Sequence, residues 1–269
     1  MRLIALSMLL AALSLLPVRA SAQSEQQTLV DRATLTVQEL LSAPNSGDRQ
    51  WAMKRAKAVM ICPRVFRASF LFGGAGGDCV LVARNANNEW SSPAFFQISS
   101  ASFGLQAGVQ ESEILLVILT DKGLKAVMDD RFKIGGDASV AFAQMGAGVE
   151  AATTAALHAD ILAFAQSAGL YAGISLNGSL ITAKSDWDRA YYGRDVGARE
   201  IVIDRVVNNP GADPLRGILA RYAAPEQAPP ATAELPPPPP SPPAGTGETS
   251  SAPQPLGPVE KQDLAPPKN

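Results

Sequence analysis

Val65-Phe66-Arg67-Ala68-Ser69-Phe70-Leu71-Phe72, then Gly73-Gly74-Ala75-Gly76-Gly77, then Cys79-Val80-Leu81-Val82-Ala83-Arg84 is the stretch on which the fold turns. Two segments rich in β-branched and aromatic residues flank five residues, four of them glycine. The pattern predicts a β-hairpin with the glycines as its turn. Asn85 to Asn88 supply the next turn. Ala94 to Phe103 and Ile114 to Thr120 continue as strands, the second an unbroken apolar run suited to a central position buried on both faces. Asp121 reads as the N-cap of a short helix ending at Met128, with Leu124, Val127 and Met128 on one side. Ala151 to Leu170 supports two readings. Its alanines favour helix, while Leu157, Ala159, Ile161, Ala163 and Ala165 alternate with His158, Asp160, Leu162, Phe164 and Gln166 as in a strand. Turns at Ser167-Ala168-Gly169 and Asn177-Gly178 fit a meander, which favours strand from Ala159, then Leu170 to Leu176 and Ser179 to Ala183.

Upstream, Leu29, Val30, Ala33, Val37, Leu40 and Leu41 recur at helical spacing and predict an amphipathic helix, ended by Pro44-Asn45-Ser46-Gly47. A second helix is expected from Asp48 toward Met60, stopped at Cys62-Pro63. Downstream, helices are expected over Ala198 to Val207 and Leu215 to Tyr222. Glycines such as Gly104, Gly108, Gly135, Gly146 and Gly173 punctuate the strand-like segments. Glycine in a strand marks a bulge, a bend or a close backbone approach. The expected fold is therefore α+β: a strongly curved, Gly-rich antiparallel sheet with helices at the N- and C-terminal ends packed on it.

The ends of the chain differ from its middle. Arg2, the apolar run Leu3 to Leu16, Pro17 and the small-x-small pattern Ala20-Ser21-Ala22 predict a signal peptide over residues 1–22. The run is short for a membrane span. Fifteen of the 21 prolines follow Ala224, including Pro236 to Pro240. Residues 224–269 are expected to be a disordered, proline-rich tail of polyproline II character, either a spacer or a ligand for an SH3-like groove on a protein partner. Residues 23–223 are then expected to be one domain, in a protein that is exported, periplasmic or secreted, and either soluble or peripheral to a membrane. Cys62 and Cys79 could pair in such a compartment. With the turn at Gly73 to Gly77, though, Cys79 would face a residue near Leu71, and the pairing stays open.

The formal charge is −2, and −4 once Arg2 and Arg19 are removed with the leader. Nothing global points to nucleic acid. Yet Arg49, Lys54, Arg55, Lys57, Arg64 and Arg67 stand within nineteen residues that hold no acid. Such a run is either a solvated helix face or a contact for anionic headgroups. No catalytic pattern accompanies it. The glycine run has no following Lys-Ser or Lys-Thr and is not a Walker loop. The lone His158 has no nucleophile elbow to serve. Two cysteines and one histidine cannot close a zinc site. Asp129-Asp130 and Asp186 with Asp188 fit no metal-loop pattern, and capping or solvation suits each. The sequence thus predicts no enzyme, no cofactor and no metal.

Several short motifs, in order, resemble the SYLF domain, also called the Ysc84 actin-binding domain. They are Lys57-Ala58-Val59, Gly73-Gly74, Val80-Leu81-Val82-Ala83-Arg84, Trp90-Ser91-Ser92-Pro93-Ala94-Phe95, Gly104-Leu105-Gln106-Ala107-Gly108-Val109, Gly136-Asp137-Ala138-Ser139-Val140-Ala141, and Ser167 to Leu176 with Tyr191-Tyr192-Gly193. The resemblance spans Leu29 to Val207. It implies non-enzymatic binding of membrane lipids, with actin binding in fungal members, through an N-terminal amphipathic and basic region. By that resemblance the helix Leu29 to Leu41 would insert at a membrane interface. Lys54, Arg55 and Lys57, joined by Arg64 and Arg67, would meet an anionic phospholipid. In a bacterial envelope that lipid would be phosphatidylglycerol or cardiolipin. The alternative is a structural or adaptor envelope protein acting through the proline-rich tail.

Overall fold

A computed structural model describes residues 24–69, 72–103, 108–129, 131–142, 149–156, 159–168 and 178–224. The leader, the proline-rich tail, His158 and the strand expected over Leu170 to Leu176 lie outside these residues. The chain divides into two units, Met1–Glu226 and Gln227–Asn269, and every described residue belongs to the first.

Helix α1 (Glu25–Ser42) begins at Ser24, whose hydroxyl accepts from the Gln27 amide at 3.2 Å. It stops at Ala43, which is extended as a residue before proline must be. Its predicted apolar stripe is buried in full. Helix α2 (Gly47–Arg55) is shorter than the sequence suggested. Val59 to Cys62 instead belong to strand β1 (Ala58–Ser69). A short apolar run reads equally as helix or strand, and burial on both faces at the centre of a sheet decides it.

Strands β2 (Phe72–Ala83), β3 (Ala94–Phe103) and β4 (Gly108–Ile118) follow. Then come α3 (Asp121–Met128), β5 (Arg131–Lys133), β6 (Val140–Phe142), α4 (Val149–Ala156), β7 (Ile161–Ala168) and β8 (Leu180–Ala183). The cap of α3 is Thr120 and not Asp121: its hydroxyl accepts from the Gly123 amide at 3.0 Å. Helices α5 (Ser185–Tyr192), α6 (Ala198–Val202) and α7 (Asp213–Ala223) close the domain, the last preceded by one 3-10 turn, Pro210–Ala212. The sheet is curled, in the order β5-β8-β3-β2-β1-β4-β7-β6. Its pairs are antiparallel except β6 with β7. The segment with two readings contains both: α4, then β7.

The glycine run is not the hairpin turn. Gly73 to Gly77 lie inside β2, all five paired with β3 and the first four also with β1. The reason lies across the ladder. Register shifts between Ile61 and Phe66, at Pro63 and Arg64, form a bulge. A Cβ on residue 77 would sit 2.2 Å from the Arg64 carbonyl oxygen. Only glycine admits that approach. Pairing Ser69 with Gly73 and Ile61 with Val80 also aligns the cysteines, and Cys62 and Cys79 form a disulfide with Cα atoms 4.1 Å apart.

The sheet is buried on both faces. Met60, Leu81, Phe96 and Leu116 pack on the inner side with Leu124 and Val127 of α3 and Ile201 and Val202 of α6. Val59, Ile61, Val80, Phe95, Leu115 and Phe164 pack on the outer side under α1, α2 and α7. The contrast between two glycines checks the bulge. A Cβ at Gly76 meets nothing closer than 3.8 Å. Gly77→Ala is expected to lose about 1–3 kcal/mol through forced backbone movement, against a far smaller change for Gly76→Ala. Urea unfolding of the two variants measures the difference.

Candidate functional site

The five predicted basic residues do not form one patch. Lys54 and Arg55 end α2, and Lys57 precedes β1. Arg55 lies 4.3 Å over the Trp51 ring. Lys57 Nζ pairs with Asp121 at 2.6 Å. Arg67 is ten residues beyond Lys57, roughly 30 Å along an extended strand. It lines a narrow inner cavity with Val65, Ser100, Ser112 and Ser179. Arg64 stands on the outer side, 3.0 Å from Glu111. The structure therefore gathers Lys54, Arg55 and Lys57 at one end of the sheet and leaves Arg64 and Arg67 on opposite faces of its far half. Arg49 is a structural group: buried, it donates to the Leu40 carbonyl at 2.7 Å and the Asn45 carbonyl at 3.2 Å.

Helix α1 is not free to insert into a membrane by its apolar face in the way the resemblance implies. That face already covers the outer side of the sheet, and Leu35 is the large apolar residue it leaves exposed. Among the described residues no helix is long and apolar enough to cross a membrane.

Beside Lys57 opens a cleft of about 480 Å³, lined among others by Arg84, Asn85, Asn88, Asp121, Leu124, Ile203 and Arg205. Arg84 ends the β2 run and donates to the Lys54 carbonyl at 3.1 Å and the Ala223 carbonyl at 3.3 Å, the last turns of α2 and α7. Arg205 donates to the carbonyls of Ala83 at 3.2 Å and Glu89 at 2.8 Å. Burial lowers the pKa of both guanidinium groups from the usual arginine value. The predicted turn at Asn85 to Asn88 shapes the wall. The Asn85 side-chain oxygen accepts from the amides of Asn87 and Glu89, and Asn88 adopts φ 63°. The sequence reading missed both arginines, because each stands alone outside the basic run. The visible signal for Arg84 was a cation closing an apolar strand.

A polar frame fixes the elements behind the cleft. The Asp188 carboxylate on α5 is fully buried and accepts from the Phe95 amide at 2.9 Å, while its second oxygen has no hydrogen-bond partner among the described residues. Burial above all, with Asp186 nearby, pushes its pKa up to about 7. Capping or solvation was the wrong reading of Asp188. Tyr191 and Tyr192 share its side of the helix: Tyr191 donates to Gln27 at 3.0 Å and Tyr192 to the Pro93 carbonyl. Asp160 is the opposite case. It accepts from Thr120, Ser139 and Lys122, and these bonds hold its pKa well below the usual carboxylate range despite burial. Among the described residues no group of three His, Cys, Asp or Glu is placed to hold a metal.

Fold and site together define an α+β domain whose sheet is stapled by a disulfide and carries partly buried arginines at one end. Residues 99–222 match the family model Ysc84, described as "Las17-binding protein actin regulator", and are similar to the domains of that family. The chain is similar to the yeast Protein YSC84 of Saccharomyces cerevisiae, 32% identical over 176 residues, 64% of this chain and 37% of the relative. It is also similar to the human SH3 domain-containing YSC84-like protein 1, 29% identical over 215 residues, 74% of this chain and 61% of the relative. The chain thus spans less than two-fifths of the yeast relative and about three-fifths of the human one. The family is described by binding and regulation, not by catalysis.

The unpartnered Asp188 oxygen makes stability depend on pH. The folded carboxyl keeps its proton up to about pH 7, whereas the unfolded one loses it near pH 4. The unfolded state therefore binds fewer protons between these values, and stability falls as pH rises from about 4 to 7, with a slope of at most about 1.4 kcal/mol per unit. Asp188→Asn keeps an acceptor for the Phe95 amide and removes the buried charge. It is expected to flatten that slope and to be the more stable form at pH 8. Thermal melts of both forms at pH 5 and pH 8 decide it.

Proposed function

We propose that the domain is a non-enzymatic module that docks on anionic phospholipid surfaces through the end of the sheet bearing Lys54, Arg55 and Lys57. The observation that carries this reading is their placement beside a cleft that already holds Arg84 and Arg205. Each cation near a charged surface contributes about 1 kcal/mol. Ile203 and Val206, both more than a third exposed, stand next to Arg205 and supply the apolar contact that α1 cannot. We place this activity in an exported protein of a bacterial envelope, peripheral to a membrane and periplasmic or secreted. The leader pattern supports export, and so does the Cys62–Cys79 disulfide, which belongs to an oxidising compartment.

Co-sedimentation with vesicles tests the reading. The full chain is expected to bind phosphatidylcholine vesicles containing phosphatidylglycerol and to be released by salt. Charge reversal at Lys54, Arg55 and Lys57 together should weaken binding about 100-fold, if three contacts of ~1 kcal/mol are lost. Reversal of Arg64 and Arg67 should cost much less. Equal binding to pure phosphatidylcholine defeats the proposal.

The concentration of prolines after Ala224 favours a second reading, in which the tail docks a protein partner or spans a distance in the envelope. Deletion of residues 224–269 is expected to leave vesicle binding unchanged while altering where the protein fractionates in cells. Loss of vesicle binding on deletion would count against a self-sufficient domain.

A further inference from the structure

We propose that the cleft between Lys57, Arg84 and Arg205 is a phosphate site, built for the headgroup of an anionic lipid. The proposal rests on the docking reading above and assigns its ligand contact to residues outside the basic run.

Arg84 is the first argument. Its guanidinium is partly buried, and no carboxylate among the described residues pairs with it. Its hydrogen-bond partners are two neutral carbonyls at helix C-termini, Lys54 and Ala223, and its guanidinium lies 5.9 Å from the centre of the Trp90 ring. These orient the group and offset part of its charge, since a helix end carries only a fraction of a unit. A guanidinium has five N–H donors, and those two bonds leave the others for a ligand. A desolvated cation without a countercharge costs free energy, and a bound anion removes that cost.

Arg205 is the second. It is a non-glycine residue at φ 54°, a left-handed backbone that is unfavourable for a side chain with a Cβ. The same residue is held on two carbonyls and turned toward the cleft. Its nearest carboxylate, Glu89, is 3.9 Å away. That backbone belongs to the turn closing α6, where the Val206 amide bonds the Glu200 carbonyl, and it sets the direction in which the Arg205 side chain leaves the chain.

The third is the balance of the cleft. Its lining holds Lys57, Arg84 and Arg205 against one carboxylate, Asp121. Arginine forks match phosphate oxygens in pairs of parallel bonds. A cavity of about 480 Å³ is in the size range of small-molecule sites. Leu124 and Ile203 give it an apolar wall, which suits the glycerol end of a lipid better than a free ion.

The test uses the full chain and Arg205→Gly, a change that suits the backbone and removes the guanidinium. Phosphatidylcholine vesicles containing phosphatidic acid present a phosphomonoester, and sn-glycerol 3-phosphate presents the same group in solution. Arg205→Gly is expected to bind phosphatidic acid vesicles about tenfold more weakly, the loss of one charge-assisted bond, with an unchanged or higher melting temperature. The soluble probe should raise the melting temperature of the wild type and not of the variant. Arg84→Lys, which keeps charge but loses the fork, should show the same weakening. Wild-type affinity for phosphatidic acid in both variants overturns the proposal, as does a soluble probe that protects all three proteins alike. If the wild type ignores every anionic vesicle yet the probe protects it and not Arg205→Gly, the docking reading falls while the phosphate site stands, with a free phosphate as its source.

Discussion

At Pro63 and Arg64 strand β1 presses so close to β2 that residue 77 has no room for a Cβ. Much of the architecture follows from that approach. Before the bulge the inner face of β1 takes the even positions Met60 and Cys62, and the outer face takes Val59 and Ile61. After it the parity reverses, with Val65 inner and Phe66 outer and half exposed. A bulge also adds local twist, which helps a sheet curl. The disulfide sits at the edge of this break and pins the two strands where their register changes. The same reversal separates the arginines, sending Arg67 to the inner cavity and Arg64 to the outer surface beside Glu111.

That reversal also marks where sequence reasoning failed. Periodicity over Leu29 to Leu41 fixed α1, and the unbroken run Ile114 to Ile118 correctly announced a strand covered on both sides. The Asn85 to Asn88 turn was legible because Asn tolerates a left-handed backbone. The glycine run was not, because two demands produce the same residues: a tight turn needs glycine for its dihedral angles, and a crossing strand needs it for space. Only the partner strand tells them apart. The end of α2 failed for a related reason, since a double-faced central strand has no alternation to display. Helix α5 is marked by Asp188, Tyr191 and Tyr192 at helical spacing, but an aspartate on that side looks solvated until the chain covers it.

Asp160 and Asp188 show how the domain treats charge in its interior. Asp160 collects donors from Thr120, Lys122 and the Ser139 hydroxyl and amide, so its ionised form is the stable one. It ties the start of α3 and the segment before β6 to the start of β7. Asp188 has one amide donor for two oxygens, and its neutral form is favoured. Both are buried, and the difference is the number of donors supplied. Each links elements distant in sequence, which is a structural use of a carboxylate and needs no reacting partner.

Cations are handled by a different rule. Arg49, Arg84 and Arg205 all bond to backbone carbonyls. A carbonyl fixes the direction of a guanidinium without cancelling its charge. Arg49 spends that arrangement inside the fold, joining the end of α1 to α2. Arg84 and Arg205 line the cleft, the second with the Glu89 carboxylate 3.9 Å from its guanidinium. Counting the run from Arg49 to Arg67 was therefore a poor guide to which cations line the cleft. Two of the six residues in that run went to the far half of β1 and one into the core. Two arginines from elsewhere in the sequence stand beside Lys57, Arg84 because β2 ends where β1 begins and Arg205 through its bonds to the Ala83 and Glu89 carbonyls. A surface assembled this way is set by sheet register, so its electrostatics depend on the same bulge that fixes the fold.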